Sequence, residues 1–106
     1  MEAALKAIAE PRRRHILALV RDGELSAGEI AAHFEVTRPA VSQHLNVLKE
    51  AGLLSERRRG TRRLYRARLE GLAELKAFLE GFWDERLGAL KREAERKERV
   101  RHEGCQ

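Results

Sequence analysis

Cysteine is almost absent from this chain of 106 residues and occurs only at Cys105. A single cysteine cannot form an internal disulfide, so the fold does not depend on one. Long apolar runs are missing too, since no stretch approaches the roughly 18 apolar residues that a membrane helix needs. The N-terminal segment lacks the basic flank and apolar stretch of a secretory signal. We therefore expect a cytoplasmic protein without a membrane partner.

Aromatic residues are also scarce, at 5% of the chain, whereas charged residues make up 37% and the net charge is +5. Residues 54–69 contain seven arginines and one acidic residue, Glu56. The rest of the chain is therefore close to neutral. A solubilising surface would intersperse both signs, so this segment indicates a polyanionic partner. The scarcity of aromatic side chains argues against single-stranded nucleic acid.

The length fits one domain, and apolar spacing predicts two helices at its start. The first covers residues 3–9, with Leu5 and Ile8 on one side. The second begins at Pro11, because the first-turn amides of a helix have no acceptor for proline to remove. It ends at residues 22–23, where we expect Gly23 to form a left-handed cap.

Two further helices are predicted over residues 26–34 and 38–51. Ser26 and Glu29 have the spacing of a capping box, and Thr37 is a good N-cap for the later helix. Gly52 is expected to end that helix. About three residues separate the pair, which is typical of a helix-turn-helix.

The helical spacing then stops, and two short extended runs flank the turn at residues 59–61. Helical spacing resumes from Leu69 to about Leu90. The predicted fold is therefore mainly α (α+β), a winged helix-turn-helix with five helices and a β-hairpin wing between the fourth and fifth. We assign residues 1–90 to a DNA-binding and dimerisation domain and residues 91–106 to a charged extension.

In a helix-turn-helix, the second helix presents its N-terminal residues to base edges in the major groove. Arginine can donate two hydrogen bonds to guanine, and glutamine can pair with adenine. We predict that the base-reading residues are Arg38, Pro39, Ser42 and Gln43. The predicted contacts to the DNA backbone or minor groove are Thr37, His44, Arg57, Arg58, Arg59, Arg62 and Arg63. The alternative for the helix alone is an ordinary solvated polar face.

Residues 9–66 resemble the ArsR/SmtB family of bacterial winged-helix repressors. The matching stretches include Thr37-Arg38-Pro39-Ala40-Val41-Ser42-Gln43-His44-Leu45 and Leu48-Lys49-Glu50-Ala51-Gly52-Leu53-Leu54. The resemblance implies a homodimer, joined by the first and last helices, that binds an inverted repeat in double-stranded DNA near promoters. It also implies that the fourth helix reads that DNA from its first turns.

The apolar residues of the last helix support the dimer independently, because they form more apolar surface than a small monomer is expected to cover. The alternative is that they all pack on the chain's own core. The residues assigned to dimerisation are Leu5, Ile8, Phe78, Phe82, Trp83, Leu87 and Leu90.

Many relatives sense metals through cysteines at the start of the third helix, but residues 24–29 contain neither cysteine nor histidine. On the last helix, Arg86 follows Asp84 where a metal-binding relative has a histidine. We therefore expect no metal and no cofactor. An open alternative is a metal- or thiol-responsive sensor built from His102 and Cys105.

The sequence bears on two other classes of function. A protein-interaction module that uses the last helix stays open as an alternative to a regulator. An enzyme is the least favoured class, because the sequence offers no paired carboxylates, no nucleophile–base set and no phosphate-binding glycine loop.

Overall fold

The computed structural model describes residues 1–83. It divides into a compact unit, Met1–Leu75, and a second unit of which Lys76–Trp83 is described. The predicted boundary at residue 90 lies outside this range. Five helices and three strands follow one another as α1 (Glu2–Ala9), α2 (Pro11–Leu19), β1 (Leu25–Ser26), α3 (Ala27–Ala31), α4 (Arg38–Glu50), β2 (Leu54–Arg59), β3 (Arg62–Ala67) and α5 (Leu69–Trp83).

Helices α2, α3 and α4 each begin with a side-chain cap, and the sequence predicts the caps of α3 and α4. The Glu10 carboxylate accepts from the Arg12 amide at 3.0 Å, one residue beyond Pro11. Ser26 and Glu29 form both hydrogen bonds of a capping box. These caps satisfy amides that have no acceptor within the helix, so each helix begins where its cap lies.

Gly52 ends α4 with a φ of +78°, in the left-handed region that a glycine adopts without strain. Its amide donates to the Lys49 carbonyl, and the Leu53 amide donates to the Leu48 carbonyl, each at 3.0 Å. These two bonds are those of a Schellman motif. The predicted left-handed cap at Gly23 is wrong, because Gly23 does not have a positive φ.

The three strands form one antiparallel sheet in the order β1-β3-β2. The wing is the hairpin of β2 and β3, in which Arg59 pairs with Arg62 across Gly60 and Thr61. Gly60 has a φ of +64° and Thr61 does not have a positive φ, which is the pattern of a type II′ turn. Strand β1, of two residues, was not predicted, and α3 ends at Ala31 rather than at residue 34.

The core of the first unit is apolar and lies between the helices and the sheet. Its fully buried large side chains are Ile16, Val20, Ile30, Val41, Leu45, Leu48 and Leu53. Backbone bonds join the wing to this core, since the Ala67 amide donates to the Val20 carbonyl and the Arg68 amide to the Leu53 carbonyl. The base of the wing is therefore fixed, whereas its tip extends into solvent.

Candidate nucleic-acid interface

Helix α4 has one buried face and one exposed face. Val41, Leu45 and Leu48 are buried at i, i+4 and i+7, as the spacing predicts. The opposite face is open to solvent over the first two turns, where the exposed residues are Arg38, Pro39, Ser42 and Gln43. Thr37 is exposed as well, and its hydroxyl accepts from the Ala40 amide at 3.3 Å. The four residues predicted to read bases are therefore all accessible in the first unit.

The wing carries its arginines on both of its faces. In the hairpin register, Arg57 pairs with Leu64 and Arg59 with Arg62, so these four residues share one face. Arg58 pairs with Arg63 on the other face, which continues toward the core. The five arginines predicted to contact the DNA backbone are all exposed, and they are Arg57, Arg58, Arg59, Arg62 and Arg63.

A groove of about 400 Å³ lies between α3, α4 and the tip of the wing. Its lining residues are Ser26, Ala27, Gly28, Arg38, Ser42, Thr61, Arg62, Arg63 and Tyr65. The Arg38 guanidinium lies over Gly28, where an added Cβ would be 3.6 Å from its nitrogens. The structure therefore brings Arg38 and Ser42 of α4 together with Arg62 and Arg63 of the wing. Pro39 and Gln43 are exposed on α4 outside this lining.

Sequence reasoning missed the role of Arg13, which connects α1 to α4. Its guanidinium donates to the carbonyl oxygens of Ala7 at 2.6 Å and Lys6 at 3.1 Å. A third nitrogen of the same guanidinium lies 3.2 Å from Nδ1 of His44. Arginine only donates, so Nδ1 is the acceptor and the other ring nitrogen carries the proton.

His44 is half-buried rather than fully exposed at the interface. Its pKa is lowered from the ordinary value, first by burial and then by the positive charge of Arg13. The Glu10 carboxylate opposes this shift. Both leading causes disfavour a second positive charge beside Arg13, and they keep the imidazole neutral at neutral pH.

The acidic partners of the wing were also missed. Arg57 Nε donates to Glu24 at 2.6 Å, and Arg62 donates to Glu29 at 2.7 Å. The Arg57 hydrogen bond is the main cause that lowers the pKa of Glu24. For Glu29, the leading cause of a lowered pKa is the hydrogen bond from the Ser26 amide. The Ser26–Glu29 capping box gives a local signal for Glu29, but no local pattern connects either glutamate to the wing.

Of the residues assigned to dimerisation, those that the structure describes lie in α1 and α5. Leu5 and Ile8 are half-buried on α1, whose residues Ala4 and Ala7 face the core. In the second unit, Phe78 and Phe82 are 41% and 77% exposed. Leu87 and Leu90 lie outside the described residues, and the Trp83 side chain does too.

The sequence predicts that the protein binds no metal ion and has no membrane partner. Across residues 1–83, no group of three or more His, Cys, Asp or Glu side chains is placed to hold a metal ion. None of the helices in that range is long and apolar enough to cross a lipid bilayer. Asp84, Arg86, His102 and Cys105 lie outside the described residues, so the alternative sensor site is untested.

Comparison with known proteins identifies the family. Residues 10–56 match the profile of the bacterial regulatory protein, arsR family. The HTH-type transcriptional regulator Rv2034 of Mycobacterium tuberculosis is 46% identical over 82 residues, which are 77% of each chain. The chain belongs to the arsR family. Arginines 57–59 and 62–63 thus form the wing of an arsR-family regulator.

Other transcriptional regulators are similar to this chain in sequence and in fold. The transcriptional repressor SdpR of Bacillus subtilis is 47% identical over 60 residues, covering 57% of this chain and 67% of its own. A crystal structure of a possible transcriptional regulator for arsenical resistance has a TM-score of 0.74 at 43% identity, covering 85% of this chain and 94% of the other.

A homodimeric winged helix-turn-helix DNA-binding domain from Mycobacterium bovis has a TM-score of 0.64 at 37% identity, covering 81% of this chain and 80% of its own. The predicted family and the winged helix-turn-helix fold are confirmed. This arsR-family protein is a transcriptional regulator.

Proposed function

We propose that this regulator is a dimeric repressor that binds an inverted-repeat operator in double-stranded DNA within the bacterial cytoplasm. The groove shared by α4 and the wing is the observation that carries the proposal. It combines a helix N-terminal face able to read bases with arginines able to contact phosphates. We assign the protein no catalytic role, since its family consists of regulatory proteins.

Residues of the first turns of α4 read base edges in this proposal. They are Arg38, Pro39, Ser42 and Gln43. The wing arginines, with Thr37 and His44, contact the backbone or the minor groove. Two-fold pairing through α1 and α5 presents two such surfaces, because an isologous dimer matches the symmetry of an inverted repeat. The homodimeric DNA-binding domain from Mycobacterium bovis, which has a similar fold, supports the pairing.

The reading face is tested by titrating the protein against a labelled duplex from its own upstream region and against a scrambled duplex. Arg38→Ala and Gln43→Ala should each reduce the preference for the upstream duplex by about 1–3 kcal/mol. The reason is that each variant removes a bidentate contact to one base. If both variants keep the full preference, the assigned reading face is wrong.

The wing is tested in the same titration at several salt concentrations. Arg58→Ala should weaken binding to both duplexes alike and reduce the slope of log K against log salt by about one, because one phosphate contact is lost. Arg21→Ala is the matched control, since Arg21 is an exposed arginine that pairs with Asp22 away from the groove. Equal losses for both variants would contradict a specific role for the wing.

A further inference from the structure

The arginines of the wing differ in whether an acidic side chain already binds them. Glu24 holds Arg57 at 2.6 Å, and Glu29 holds Arg62 at 2.7 Å. Both distances are those of strong charge-assisted hydrogen bonds. On the other face of the wing, Arg63 lies 3.5 Å from Glu56 of the neighbouring strand, a longer contact. Within residues 1–83, no carboxylate oxygen lies within 4.0 Å of the guanidinium of Arg58 or Arg59.

The two glutamates bind the wing on one face. They line a groove together with Arg57, Arg59, Arg62 and Leu64, which share a face in the hairpin register. The opposite face carries Arg58 and Arg63, and Arg63 lines the groove beside α4. Arg62 lines both grooves, so the Glu29 carboxylate holds it at the boundary between them.

Folding stability does not explain these two ion pairs. The side chains of Arg57 and Arg62 are 58% and 60% exposed. Exposed ion pairs contribute little to folding, because water already solvates both charges. They do affect a charged ligand, since a phosphate that approaches Arg57 or Arg62 meets a carboxylate of its own sign and competes with it for the guanidinium.

We propose that Glu24 and Glu29 are specificity-determining residues whose carboxylates compete with DNA phosphates for Arg57 and Arg62. The competition limits the sequence-independent part of binding, which depends on the number of phosphates that arginines neutralise. Contacts of α4 to bases are unaffected, so the carboxylates increase the share of binding that depends on sequence. This inference rests on the proposed DNA-binding function.

Glutamine substitutions test the competition without disturbing the fold. Glu29→Gln keeps a side-chain oxygen that can accept from the Ser26 amide, because glutamine also completes a capping box. Glu24→Gln keeps the size of the side chain. Both lose the negative charge, so the Coulomb attraction between the carboxylate and the guanidinium is removed. Thermal unfolding of the variants checks that their folds are intact.

The measurement is the affinity of the full chain for a scrambled duplex at several salt concentrations. The double variant Glu24→Gln, Glu29→Gln should bind about threefold to tenfold more tightly near 100 mM salt. Its slope of log K against log salt should be steeper by about one per released arginine. The control is the double variant Glu35→Gln, Glu50→Gln, which removes the same charge from two exposed glutamates that form no ion pair within residues 1–83.

The possible results of this measurement distinguish the proposed competition from its alternatives. Tighter binding and a steeper slope for the double variant, beyond the charge-matched control, support the competition. Binding equal to that of the control overturns it, and weaker binding indicates instead that the glutamates position the arginines for DNA. If the wild-type protein binds no duplex even at low salt, the proposed function fails and this inference fails with it.

Discussion

Arg13 and Arg14 satisfy the whole C-terminal end of α1. Arg13 donates to the carbonyls of Lys6 and Ala7, and Arg14 donates to those of Ile8 and Ala9. The last four carbonyls of a helix have no partner within it, and positive charge is favourable at that end. Two neighbouring arginines of α2 therefore hold α1 in place.

Replacement of Arg13 by lysine should be destabilising although the charge is kept. Lysine cannot reach two carbonyls and the His44 ring at once, because it lacks the planar fork of arginine. We expect Arg13→Lys to lower the free energy of unfolding by about 2 kcal/mol, measured by urea denaturation. Arg12→Lys is the control, since Arg12 is exposed and its guanidinium lies 4.0 Å from the Glu10 carboxylate. Equal stability of the two variants would argue against the bridging role.

At the scale of elements, α5 begins by packing directly on the end of α4. A Cβ at Gly71 would overlap the carbonyl oxygen of Gly52 and lie 3.5 Å from the Leu53 Cα. This close approach needs glycine at residue 71, whereas glycine at residue 52 is favoured by its positive φ. The Gly52 backbone is held in its left-handed conformation by the Schellman bonds and cannot easily move away.

Gly71→Ala should therefore destabilise the protein by about 1–3 kcal/mol, because the added methyl group forces the two backbones apart. Gly81→Ala in the same helix is the control, since nothing within 4 Å of its Cβ position opposes the change. That variant should gain up to about 1 kcal/mol from helix propensity. Urea denaturation of both variants measures the difference, and a stable Gly71→Ala would show that the helices separate without cost.

At the scale of the whole molecule, exposed apolar side chains of α5 supply the proposed dimer surface. Phe82→Glu should shift the protein toward monomer, because it places a charge where an apolar ring would be buried. Sedimentation equilibrium at micromolar concentration measures the shift. Leu69→Glu is the control, since Leu69 is 62% exposed in the first turn of α5, where an acidic side chain is tolerated. A dimer that survives Phe82→Glu would place the interface elsewhere.

Local signals were enough to predict most of the elements. The bounds of α4 and of the wing could be predicted closely from Thr37, Gly52 and the turn at residues 59–61. Each of these signals concerns hydrogen bonds between residues that are close together in the sequence. Strand β1 could not be predicted, because its two residues have no strand pattern and depend on pairing with Leu64 and Tyr65.

The candidate site, like the fold, could be predicted only in part from the sequence. The charge and spacing of the sequence determined which side chains are available to DNA, since an exposed helix face and an arginine-rich hairpin are local properties. Only the tertiary structure decided which arginines already have a partner. Glu24 is 33 residues from Arg57, and Arg13 is 31 residues from His44. Such pairs form only after packing of the core has brought distant segments together. No pattern of residues close together in the sequence indicates which side chains will pair.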